Sequence, residues 1–302
     1  MKNQTLTILA GVFIILVALV TFQRSEDDKN FKEVTKPLVA SIETTDKILI
    51  TRNDTKEIIT LEKKDQQWSI TTPIQEKASE SRIKEVLDQT SKISIGKIIS
   101  ESKEKFQEMH LTDTNGTKVQ FFNNGTQVAG FQVGKITEDD YNHTFVKLLT
   151  EDKVYLAQGA FEGVYNTPAK SFRDKKIFTN ALGDISEVSM KREKNKGTFL
   201  MTEGKWTKKE DSKVTSENIV KELSALLALE ASDFPDKSGI NPQGLKDTQS
   251  VKIYMKASKE GSDGITFYAK EMNKKWYGIK EKSNVVYELP ASFDTSLKAL
   301  GL

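Results

Sequence analysis

From Lys47 onward, apolar and polar residues alternate through KILITRNDTKEIITLEKKDQQWSIT, with interruptions at Asn53-Asp54 and at Lys64 to Gln66. A period of two broken by polar residues predicts three antiparallel strands joined by short turns. The period changes at Ser79 to Thr90, SESRIKEVLDQT, where Ile83, Val86 and Leu87 fall at helical spacing and Ser79 or Ser81 can cap the free amides. Ile93 to Ile99 reads as a further strand, and Lys103 to Leu111 as a second short helix with Phe106 and Met109 on one face. Lys118 to Phe122, Val128 to Val133, Thr144 to Leu149 and Lys153 to Ala157 then read as a meander of strands. Asn124-Gly125 joins the first pair, supplying the positive φ angles that a tight hairpin needs.

The pattern then recurs. GTFLMTEGKWTK at Gly197 to Lys208 is a degenerate copy of IITLEKKDQQWSIT at Ile58 to Thr71, so that Trp206 answers Trp68. Ser216 to Leu223 answers Ser79 to Val86, and Gly244-Leu245-Lys246-Asp247 answers His110-Leu111-Thr112-Asp113. Val251 to Met255, Asp263-Gly264, Ile265 to Ala269 and Val285 to Leu289 repeat the later strands and their tight turn. The offset between copies drifts by only a few residues, as changes in loop length between tandem units would produce. Two units of this size predict two packed α+β subdomains rather than a solenoid of many short repeats. The alternation predicts one covered face on each sheet, with the helices at Ser79 to Thr90 and Thr215 to Leu229 as covers.

Ahead of this body there is no charge between Lys2 and Arg24, and Leu6 to Phe22 is apolar apart from two threonines and a glycine. At about 1.5 Å per residue, a helix over this stretch covers roughly the hydrocarbon thickness of a bilayer. A cleaved signal peptide is the alternative. It is disfavoured by an n-region holding only Lys2, by a long apolar run and by the lack of a small-x-small site at Thr21 to Ser25. Lys2 on one side and Arg24, Lys29 and Lys32 on the other leave the positive-inside comparison balanced, so the short flank is taken as the cytoplasmic one. The expected organisation is a cytoplasmic stub over 1–5, a transmembrane helix over 6–22 and a tether over 23–45. The tether's expected contacts are Phe31, Pro37, Leu38 and Ile42. Repeat units over 46–170 and 171–302 follow, both outside the cytoplasmic membrane.

Composition adds exclusions. With 302 residues, 37% of them hydrophobic, the chain can build two cores. Forty-five Lys and Arg are interspersed with 43 Asp and Glu, which leaves no basic face evident for a nucleic acid. Cysteine is absent, which excludes disulfides, thiolate metal sites, a thiol nucleophile and a lipidated N-terminal cysteine.

Candidate chemistry is sparse. His110 and His143 are isolated, without a partner pattern. Glu138, Asp139, Asp140 and Asn142 offer oxygens for calcium but lack the alternating acidic spacing that wraps an ion, and read as a solvated hairpin loop. Arg173, Asp174 and Lys175 read as an ion-pair cluster between the copies. Trp68 and Trp206, at equivalent strand positions, read as core. No P-loop, Gly-x-Ser-x-Gly, Gly-x-Gly-x-x-Gly or His-Glu-x-x-His is present. Neither catalytic residues nor ligands for a cofactor or metal are assigned.

The order of motifs carries a resemblance. Leu61 to Pro73 (LEKKDQQWSITTP), Phe106 with Leu111-Thr112-Asp113, Phe131 to Gly134, Val154-Tyr155-Leu156 and Ser171 to Lys176 (SFRDKK) together resemble the bacterial DUF4340 family, over most of the chain from Phe31. The resemblance implies a membrane-anchored protein without an established activity, and many members resemble auxiliary components of gliding-type ABC transport systems. In the second copy Ala269 stands for Gly134, and Pro73 has no counterpart. The leading expectation is thus a single-pass, non-catalytic interaction module, an accessory to an ABC system. A polysaccharide- or peptidoglycan-binding ectodomain using exposed Trp276, Tyr277 or Tyr287 is the alternative. A hydrolase with a site around Asp139, Asp140 and His143 is the third.

Overall fold

The computed structural model describes residues 36–39, 42–138, 141–211, 213–236 and 239–302. The expected anchor at 6–22 and most of the tether lie outside these residues. Among the described residues no helix is long and apolar enough to cross a membrane. The chain divides into two compact units, the second beginning at Lys175. Each is built on one antiparallel sheet with few helices.

The first unit begins with β1 (Lys36–Pro37), β2 (Lys47–Arg52), β3 (Glu57–Lys64), β4 (Gln67–Thr72) and β5 (Glu76–Lys77). Then come helix α1 (Glu80–Lys92) and strands β6 (Ser94–Ser100), β7 (Thr117–Asn123), β8 (Thr126–Ile136), β9 (His143–Leu148) and β10 (Val154–Gln158). A one-turn helix, α2 (Glu162–Tyr165), follows. The strands form one sheet in the order β1-β6-β10-β9-β8-β7-β2-β3-β4-β5. Turn chemistry sets the hairpins. Asp65 and Gln66 (φ 50° and 66°) and Asn124 and Gly125 (φ 48° and 79°) occupy the left-handed region that two-residue hairpin loops demand.

Alternation sends Ile48, Ile50, Ile59, Leu61, Trp68, Ile70, Phe121, Phe131, Val133 and Val146 to one face, where Ile83 and Val86 of α1 cover them. Leu38, Val39 and Ile42 join this core while Pro37 is exposed; Phe31 lies outside the described residues.

The second unit holds β11 (Ile185–Arg192), β12 (Asn195–Thr202), β13 (Lys205–Lys208), α3 (Ser216–Leu227), β14 (Val251–Ala257), β15 (Ile265–Met272), β16 (Lys275–Lys280), β17 (Val286–Leu289) and α4 (Ser292–Ala299). Its sheet runs β13-β12-β11-β14-β15-β16-β17. This is the order β4-β3-β2-β7-β8-β9-β10 of the first unit, read strand for strand. The first unit adds β5 at one edge, and β6 and β1 at the other. Ile219, Leu223 and Leu226 of α3 pack with Phe293 and Leu297 of α4 over Val188, Phe199, Trp206 and Phe267.

The opposite faces are plugged in the same way. The stretch expected as a second helix is a 3-10 turn, Lys103–Lys105, followed by irregular turns. Leu111 still drops onto Val154 beside Phe106 and Met109. In the second unit a 3-10 turn at Pro242–Leu245 sets Leu245 on Ile279 and Val286. The first stretch departs from the expected helix because Gly134 brings a strand backbone against it. Lys135 N–H donates to Met109 O at 3.1 Å, and a Cβ at Gly134 would lie 2.1 Å from that oxygen.

Pairing also corrects two correspondences. Val119 faces Phe131 and Ile253 faces Phe267, so Ala269 stands in the place of Val133, and Lys270 in that of Gly134. The helix caps are Ser79 and Thr215, which moves the helix alignment by one residue from Ser216.

Two predictions follow from this packing. Gly134→Ala should destabilise the chain by about 1–3 kcal/mol, since Met109 O belongs to backbone and gives way only by opening the plug. Gly163→Ala, which meets nothing within 4 Å, should be neutral or stabilising by less than about 1 kcal/mol in the same urea titration. A larger cost at Gly163 than at Gly134 would refute the assignment.

Alkaline pH tests the core tyrosines. Burial raises the Tyr165 hydroxyl above its ordinary value, against the opposing hydrogen bond from its 2.7 Å contact with Thr90. Burial, then the hydrogen bond to Glu151 at 2.7 Å, pushes Tyr155 up to about 12. A folded-state pKa above the unfolded value means stability that is complete below about pH 10 and lost as pH rises through the folded values. The urea midpoint should fall above about pH 10, and less steeply in a Tyr155→Phe, Tyr165→Phe chain.

Candidate functional site

The first unit holds a groove of about 350 Å³ between α1 and the segment at Ile42 and Glu43. Local sequence places its wall. Ser79 caps α1 by accepting from Arg82 N at 3.3 Å, and Glu80 Oε1 accepts from Trp68 N at 3.0 Å, tying the helix to β4. Glu80, Ile83, Lys84, Leu87, Asp88 and Ser91 then recur every three or four residues along one helix face and line the groove, with Trp68 at its base. The second unit repeats the tie through Trp206 N and Ser216 Oγ at 3.1 Å.

Two of the charges at this groove pair, while Glu43 and Glu80 also line it. Lys84 Nζ lies 2.7 Å from Asp88 Oδ2, an i, i+4 pair, and this hydrogen bond holds the Asp88 carboxyl below its ordinary range. Ile83, Leu87 and the edge of Trp68 supply apolar surface. The arrangement can seat an apolar side chain beside an acidic rim, where Lys84 stands among Glu43, Glu80 and Asp88.

The residues singled out from sequence lie elsewhere. His110 is exposed with φ 56°, and His143 begins β9 rather than lying in the loop before it. Glu138 pairs with Lys135 at 2.7 Å, while Asp139 and Asp140 lie outside the described residues. Asn142 O accepts from Gly159 N at 2.6 Å. Among the described residues no three His, Asp or Glu side chains converge to hold a metal ion. Trp68 and Trp206 are both core residues.

Trp276 and Tyr287, expected at the surface, are buried: Trp276 packs edge-on against Phe293 at 5.2 Å, and Tyr287 against Phe234 at 5.9 Å. Tyr277 is half-buried against the Leu245 plug. Alternation in β16 turns Trp276 inward, and the two short final strands are too well covered to show the rings to solvent.

The SFRDKK segment is divided: residues 171–174 serve the first unit, while Lys175 O accepts from Ala231 N at 2.8 Å in the second. Arg173, 1% exposed, grips Glu76 of β5 through Nε at 2.5 Å and Nη2 at 2.7 Å, and Asp174 pairs with Lys77 at 2.9 Å. Sequence reasoning missed Asn53 and Gln132. Their side-chain amides both donate to the carbonyls of Thr112 and Asn115, holding the loop below the plug. The only signal was a glutamine, 1% exposed in the fold, between Phe131 and Val133. Glu76→Gln removes the carboxylate facing a buried guanidinium and should cost about 3 kcal/mol in urea unfolding; a loss below about 0.5 kcal/mol would show the pair to be incidental.

No curated protein and no solved structure matches the chain. A family model, described as a domain of unknown function, matches residues 68–249, well over half of the chain and running from the buried Trp68 to the turn before β14. The chain belongs to the DUF4340 family.

Proposed function

We propose that this is a single-pass, membrane-anchored and non-catalytic envelope protein. Its body, a duplicated α+β unit placed outside the cytoplasmic membrane, acts as an interaction module. The observation that carries the reading is the uncharged, apolar run from Leu6 to Phe22 ahead of a body that uses one strand plan twice. A common strand order, equivalent tryptophan-to-helix ties and equivalent leucine plugs support descent of the two units from one. The apolar surface that Ile83, Leu87 and Trp68 give the groove supports a binding role. Within this reading the partner is an ABC transport system, a link that rests on the family resemblance alone.

A membrane-impermeant, amine-reactive crosslinker applied to intact cells tests the whole reading, because lysines cover the body. The expected outcome is crosslinking of the body to the extracytoplasmic loops of a permease subunit, identified by mass spectrometry. Unmodified body lysines would overturn the placement outside the membrane. Modified lysines without any attached protein would overturn the interaction module.

A further inference from the structure

The outer face of the second sheet, opposite α3, is only half covered. Leu245 packs over Ile279 and Val286 with Tyr268 and Tyr277, which closes the β15–β17 side. On the other side, β12, β11 and β14 turn Phe199, Val188, Met190, Ile253 and Met255 into the core, so their alternate residues face outward. Among these, strand register sets Lys196 opposite Lys191, and Lys191 opposite Lys252. Three exposed lysines thus stand in one row across three adjacent strands. Strand spacing places the outer two only about 10 Å apart at the backbone, roughly one Debye length at physiological salt.

Like charges directly opposite on neighbouring strands repel. Among the described residues none of the three makes an ion pair. The nearby acids form no ion pair with the row. Glu210, which feels the charge of Lys196, accepts from Thr198 N at 2.8 Å and Thr198 Oγ1 at 2.9 Å. Glu187, in another row, faces Lys256 and accepts from Ser189 Oγ at 2.7 Å.

The first unit serves as an internal control. The same row there reads Ile58, Thr51 and Lys118, and its single lysine pairs with Asp113. In the second unit the equivalent acid, Asp247, pairs with Lys270 instead, and Lys252 lies over the Tyr268 ring at 5.5 Å. One sheet plan therefore carries a row whose single lysine is ion-paired in the first unit and a row of three lysines without an ion pair in the second.

The surface is an open sheet face, and lysines are mobile point charges rather than the planar forks that clamp a single phosphate. That chemistry matches a plane of anions. We propose that the Lys196–Lys191–Lys252 row rests on the anionic phosphate headgroups of the bilayer to which the chain is anchored, an inference that depends on the anchor reading given above.

The full chain is added to vesicles of phosphatidylcholine, or of phosphatidylcholine mixed with phosphatidylglycerol, and its lysines are acetylated and quantified by mass spectrometry. Lys221 on α3, which covers the opposite sheet face, is the internal reference. Relative to Lys221, the three lysines should react about fivefold more slowly on the anionic vesicles and unchanged on the neutral ones. Equal rates on both vesicles, or equal slowing on both, would overturn the proposal. Equal slowing by soluble polyphosphate without vesicles would also overturn it, assigning the row to a dissolved polyanion.

Resistance to alkaline carbonate reports the anchor separately, and a Lys191→Gln, Lys196→Gln, Lys252→Gln chain should remain resistant. If the wild-type chain is extracted by carbonate, the anchor reading falls. The labelling comparison still reports the face, because protection is read relative to Lys221 on the opposite side of the sheet.

Discussion

Each unit depends on one connection: the backbone amide of a strand tryptophan donates to the side chain of the first residue of the covering helix. Trp68 reaches Glu80, and Trp206 reaches Ser216. The bond is modest in itself, on the order of 1 kcal/mol. Its importance is geometric, since it fixes where the helix leaves the sheet edge and hence which apolar face it crosses. In the first unit α1 carries the chain from the β4–β5 edge to β6 near the other edge, laying Ile83 and Val86 over the sheet on the way. The indole beneath each bond fills the corner that this turn would otherwise leave open.

The other constraint is the second face. A sheet this broad has more apolar width than one helix can cover, and both units respond with a short turn that drops a leucine, Leu111 or Leu245, onto the last strand. Close approach of backbones follows, and with it the need for glycine at position 134. What the plug leaves open is where the units diverge. The first sheet pairs its exposed lysine with an acid of the plug loop, Asp113. The second directs the corresponding Asp247 to another strand. A change of one ion-pair partner thus alters the electrostatic character of a face while the fold is kept.

The plan of the body was legible in the residues because period-two alternation, polar turns and serine or threonine caps are local signals. They located most of the strands, both covering helices and the Asn124-Gly125 hairpin, but not β1, β5, β11 or β16. The burial of Trp68 and Trp206 also followed, since two indoles at equivalent inward positions have one simple explanation. The stretch at residues 103–111 was misread because its two buried side chains satisfy a helical spacing equally well when held by a 3-10 turn against Gly134. Trp276 and Tyr287 were misplaced because aromatic residues near a chain end carry no local mark of what covers them.

Residues alone carried the family, the succession of strands and helices and the recurrence of one plan, all of which depend on neighbours along the chain. What depends on neighbours across it was settled by the fold. Strand register turned interspersed charges with no evident basic face into a row of Lys196, Lys191 and Lys252. It sent Arg173 to Glu76, nearly a hundred residues earlier in the chain. Alternation tells which side of a sheet a residue faces, but which residue stands opposite it is fixed by pairing, and pairing joins positions whose separation no local pattern encodes.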